Sequence, residues 1–120
     1  LLVLLMYCCQ SQAQLAPTPY ERTKGAETST YPEVIRYYQQ LDKQSSRLTL
    51  KTMGPTDAGH PLHLALYSND GSADPVLWHR QKKVVLFIIN GIHPGEPDGI
   101  DASMLWLRDL IQGKKKIPDN

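Results

Sequence analysis

The stretch Val84-Val85-Leu86-Phe87-Ile88-Ile89, closed by Asn90-Gly91, limits what this chain can fold into more than any other. Six apolar residues in a row, four of them β-branched, are too few for a long buried helix and suit a strand. A run with no polar face predicts a strand buried on both sides, in the middle of a parallel or mixed sheet. Open α/β sheets place their ligands beyond the carboxyl ends of such strands. Here that place is taken by Ile92-His93-Pro94-Gly95-Glu96-Pro97-Asp98-Gly99.

Two side chains in that turn carry chemistry, His93 and Glu96. Pro94 biases His93, and Pro97 biases Glu96, towards extended dihedrals, while Gly95 between them takes positive φ at little cost. The loop therefore bends between two extended donors. An imidazole nitrogen and a carboxylate so placed can converge on one cation at about 2.0–2.2 Å, the zinc distances for these donors. A catalytic zinc needs three protein ligands and an open position for water, so a further ligand must come from elsewhere. The alternative is a solvated loop in which the two side chains merely hydrogen-bond to each other.

The run Asn90-Gly91-Ile92-His93-Pro94-Gly95-Glu96-Pro97-Asp98-Gly99 resembles the first metal-binding segment of the M14 zinc carboxypeptidase family. Thr30-Tyr31-Pro32-Glu33-Val34-Ile35, with Tyr37, Tyr38 and Leu41, is similar to that family's opening helix, and Met53-Gly54 through Gly59-His60-Pro61-Leu62 to the hairpin that follows. The resemblance spans roughly residues 25–112. It implies a single Zn2+ held by His93, Glu96 and a later His, a glutamate general base near the end of the domain, and arginines that hold the charged end of a peptide substrate. Of these, only His93 and Glu96 fall on residues of this sequence. Pro94-Gly95 stands where digestive members carry a bulkier pair including an arginine, so their side-chain preferences do not transfer.

The remaining segments fit that frame. Leu1 to Met6 look like the end of a signal-peptide apolar region, and Ser11-Gln12-Ala13 supplies the small residues of a cleavage site. Residues 1–13 are thus read as a signal peptide truncated at its N-terminus, and export to the periplasm or the outside is expected, with no stable membrane span. Cys8 and Cys9 both lie in this segment; Met6 and Tyr7 before them do not suit lipid attachment. Residues 14–29 read as a polar lead-in. The capping box Thr30-x-x-Glu33, with Pro32 in the first turn, opens a helix whose stripe of Val34, Tyr37, Tyr38 and Leu41 belongs to the core. Alternation over 47–53 and 61–68, around the turn residues Gly54 to Gly59, predicts an antiparallel hairpin on which His60 and His63 are surface histidines. Ser68 to Gln81 is expected to be a surface loop in which Trp78 and His79 are exposed, and Lys82-Lys83 to be a solvated strand end. Asp98 is placed as the cap of a last helix with Ile100, Met104, Leu107 and Ile111 on one stripe, ended by Gly113.

Lys and Arg number 13 against 12 Asp and Glu, a formal net charge of +1, so nothing in the balance calls for nucleic acid. The expected fold is α/β, with helices packed on a mixed, mostly parallel sheet, residues 30–120 forming the N-terminal part of a catalytic domain that is incomplete within this fragment. The expected function is zinc-dependent hydrolysis of peptide or amide bonds, foremost by a carboxypeptidase. A catalytically inactive binding module and a related zinc amidase or deacylase remain alternatives, and oligomeric state is left open.

Overall fold

The computed structural model describes residues 15–120. Residues 1–13, read above as a signal peptide, lie with Cys8 and Cys9 outside the described residues. In order the elements are α1 (Pro19–Arg22), α2 (Tyr31–Gln44), β1 (Leu48–Pro55), β2 (Pro61–Tyr67), α3 (Pro75–Arg80) and α4 (Asp98–Ile111). This is a small mixed α/β architecture in which, among the described residues, the sheet is the antiparallel pair β1–β2.

Helix α2 forms where the capping residues predict it. The Glu33 carboxylate accepts from the Thr30 amide at 2.8 Å and from the Thr30 hydroxyl at 2.6 Å, which holds the chain in its first turn. Of its apolar stripe, Leu41 is fully enclosed and Tyr37 only 6 % exposed, while Val34 and Tyr38 are partly buried against the core. The hairpin also forms. Leu48 pairs with Tyr67 and Leu50 with Ala65, and the ladder shifts register between Thr52 and Pro55, where Gly54 takes a φ of +128°. Leu48 closes the bottom of the core, while β2 is half-buried along most of its length.

Leu15, Tyr37, Leu41, Leu48, Met104 and Ile111 make one cluster, with Val34, Tyr38, Tyr67, Ile100 and Leu107 packed around it. Each of α2, α4 and β1 turns an apolar side to this cluster, and the segment before α2 closes it. Within the polar lead-in the chain makes one helical turn and joins the core. Thr18 repeats the capping box with Glu21, opening the single turn of α1, and Leu15, Thr18 and Ser29 are buried. Two polar latches tie it to α4. Arg108 donates to Glu21 at 2.7 Å, and the buried Asp101 accepts from the hydroxyls of Thr28 and Ser29. Asp101 and Arg108 are seven residues apart, two turns on one side of the helix, with buried Met104 between them.

Three expectations are corrected. Ser68 to Gln81 is not all loop: Asp74 accepts from the Val76 amide at 2.9 Å and caps α3, and Trp78 is buried, 7 % exposed, with its indole N–H on the Ser72 hydroxyl. Only His79 of that pair is exposed. Asp98 does not cap α4; it is the first residue of the helix, and Pro97 takes the cap position. Most consequential, Val84 to Ile89 is neither paired nor buried. Among the described residues these six form no ladder, and they are between 45 % and 76 % exposed. A strand exists only by exchanging hydrogen bonds with a neighbour, and β1 and β2 pair with each other and not with this run. The run is left without a strand partner and with its apolar side chains in solvent.

Among the described residues, no helix is long and apolar enough to cross a membrane.

Candidate metal centre

The loop that carries His93 and Glu96 leaves the apolar run at Asn90 and joins α4 at Pro97. Gly91 turns it with a φ of +65° and Gly95 with a φ of +85°, so the two sharp changes of direction fall on residues without a Cβ. His93 stands between these glycines and Glu96 directly after the second, with side chains 72 % and 62 % exposed. The His93 Nδ1 lies 3.2 Å from Glu96 Oε1 and 3.3 Å from Oε2. The two proline-flanked side chains therefore meet, in the solvated, mutually hydrogen-bonded arrangement of the alternative reading.

That separation has a geometric meaning. Two donors each about 2.0–2.2 Å from a tetrahedral ion stand about 3.3–3.5 Å apart. A cation can sit between His93 and Glu96 with only a small opening of the pair. As an ion pair the contact contributes little, because water surrounds both partners. Its exposure leaves the remaining coordination positions open. Among the described residues, no group of three or more His, Cys, Asp and Glu side chains is placed to hold a metal.

The other histidines stay apart from this pair. His60 stacks on the ring of Tyr31 at 5.4 Å between centroids, with the planes tilted by 46°, and the Nδ1 of His63 lies 3.3 Å from the Thr52 hydroxyl across the hairpin. His63 is half-buried rather than fully at the surface. Lys83 does not end in solvent as a free charge: it pairs with Asp70, whose carboxyl is held well below the usual carboxylate range by that ammonium first and by Ser72 and Ser68 next. The pair tethers the start of the extended run to the turn after β2.

Residue types alone did not single out Asn90 and Ser103. Asn90 reads in the sequence as the end of a strand, and Ser103 as a polar position on α4. In the structure the Asn90 amide donates to the Ser103 hydroxyl at 2.7 Å and fixes the near end of the loop on the helix. The far end is fixed by Pro97, whose carbonyl accepts from the amides of Ile100 at 2.9 Å and Asp101 at 3.1 Å.

Comparison with protein-family models, with curated proteins and with solved structures finds no match to this chain.

Proposed function

We propose that this chain supplies two ligands of the zinc site of an exported peptidase, foremost a carboxypeptidase, that cleaves peptide or amide bonds. One observation carries the proposal: the 3.2–3.3 Å separation between the His93 nitrogen and the Glu96 oxygens, close to the span of two donors on one tetrahedral ion. The donor chemistry fits as well, since imidazole plus carboxylate is a ligand combination of catalytic zinc sites. Bound zinc would polarise a substrate carbonyl and lower the pKa of its water to about 7. His93 and Glu96 hold their donors together, Pro94 and Pro97 keep the loop from collapsing into a helix, and the exposure of the pair leaves room for a peptide. We assign the third ligand, the general base and the substrate-holding arginines to no residue of this sequence.

The proposal also gives the extended run a role. Val84 to Ile89 is taken as the central strand of a larger mixed, mostly parallel sheet, with His93 and Glu96 at its carboxyl end. Its exposed apolar faces support this, because in such a sheet both would be covered. Leu1 to Met6 and Ser11-Gln12-Ala13 support export.

The test is turnover of peptide substrates by the full-length protein. Activity should disappear with a zinc chelator and in His93→Ala, and return with added zinc in the wild type alone. Turnover that survives both treatments contradicts the proposal.

A further inference from the structure

We propose that Asn90 is a positioning residue for the His93–Glu96 pair, holding the metal loop in register from the first two turns of α4; the inference rests on the metal reading above. Within the loop the backbone turns at Pro94-Gly95, where Gly95 takes a φ of +85°, and this turn sets His93 relative to Glu96. Where the turn stands on the molecule is set by the two ends of the loop. At Pro97 the carbonyl is held by two helix amides. At Asn90 the tether is a side chain, the amide N–H on the Ser103 hydroxyl at 2.7 Å.

The seat of this side chain is cut into the helix by a glycine. A Cβ on Gly99 would stand 2.5 Å from Asn90 Oδ1 and 3.2 Å from its Cγ, so the Asn90 amide lies across the first turn only because residue 99 has no side chain. Gly91 completes the fit from the loop side, since a Cβ there would stand 2.8 Å from the Cδ1 of Ile100. Gly99, Ile100 and Ser103 are neighbours on the helix surface by their three- and four-residue spacing. The helix beneath them is itself fixed, with Asp101 bonded to Thr28 and Ser29 and Met104 fully buried.

The consequence is mechanical. With both ends seated on one rigid element, the turn that carries His93 and Glu96 has little freedom to shift against α4. Without the Asn90 bond the loop is held at Pro97 alone, and the turn can swing away from its place on the helix. Removing groups that orient metal ligands commonly weakens metal binding about 10–100-fold.

The experiment measures zinc affinity, by competition with a chromophoric chelator, for the full-length protein as wild type, Asn90→Ala, Ser103→Ala, Ser103→Thr and His93→Ala/Glu96→Ala. Visible spectra of the cobalt-substituted forms and unfolding midpoints of the metal-free forms accompany it. The expected result is at least tenfold weaker zinc binding and an altered cobalt spectrum in Asn90→Ala and Ser103→Ala. Affinity should be kept in Ser103→Thr, which retains the hydroxyl, and the metal-free midpoints should match the wild type. If Asn90→Ala and Ser103→Ala bind zinc as the wild type does while the double variant binds none, positioning by Asn90 is overturned and the metal reading stands. Weakening that merely tracks a lower metal-free midpoint also overturns it, as would failure of Ser103→Thr to restore binding. Absence of zinc from the wild type overturns both.

Discussion

Asp101 sits in the first turn of α4, 5 % exposed, and accepts from the Thr28 hydroxyl, from the Ser29 hydroxyl at 3.0 Å and from the Ser29 amide at 3.4 Å. A carboxylate there also faces the positive end of the helix dipole. Replacing it by alanine leaves buried donors without an acceptor, and each such group costs about 1–3 kcal/mol. Asp101→Ala is accordingly expected to lower the unfolding free energy by at least that amount in urea denaturation; a loss under about 0.5 kcal/mol, the scale of an ordinary surface substitution, would show that the latch carries no weight. In the sequence Asp101 was readable only as a charge suited to the helix start, because its partners lie 72 and 73 residues earlier. His93 and Glu96 were readable, because two prolines and a glycine constrain a pair that is only three residues apart. Asn90 was half-readable: Asn-Gly marks the end of an extended run, but a side chain's seat on a later helix leaves no local trace.

At the scale of elements, helices and hairpin were legible wherever the signal is local. Thr30 with Glu33 marks the start of α2, alternation marks β1 and β2, and the stripe of Ile100, Met104, Leu107 and Ile111 marks α4. Two further local signals stand in the sequence. Thr18-Pro19-Tyr20-Glu21 has the same capping pattern as the start of α2, and Asp74-Pro75 is a cap followed by a first-turn proline as readily as a turn. The latch between the α1 segment and α4 should give stability a pH dependence. The Arg108 guanidinium, with the Thr18 amide and hydroxyl, holds the Glu21 carboxyl below its ordinary value of 4.5 against the opposing effect of burial. A depressed carboxyl stabilises the fold above the unfolded-state value and loses that contribution as pH falls through the folded-state value. Stability should thus fall as pH drops below about 4.5, and the fall should be shallower in Arg108→Met, as followed by thermal unfolding across that window. At the core, Leu41 is fully enclosed, so Leu41→Ala should cost about 2–5 kcal/mol by the same methods.

At the scale of the whole molecule, the unresolved demand of the sequence is the run from Val84 to Ile92. Its composition states what surroundings it needs, apolar cover on both faces and hydrogen-bonding neighbours on both edges, but composition cannot state whether the chain supplies them. The described residues leave Val84, Leu86 and Phe87 each about 70 % exposed or more. Surface of this kind, uncharged, β-branched and free at its edges, pairs with other chains. The 120-residue chain by itself should therefore bind a hydrophobic dye and self-associate at micromolar concentration, and Leu86→Lys/Ile88→Lys should suppress both; a dye-silent monomer by sedimentation would mean that the run is covered. The same run brings His93 and Glu96 to the place where a sheet would present a metal, and on that placement the functional account depends. Zinc content by mass spectrometry on the purified full-length protein, wild type beside His93→Ala/Glu96→Ala, addresses it directly. One zinc per wild-type chain and none in the double variant is the predicted result; no zinc in either, or equal zinc in both, would contradict it.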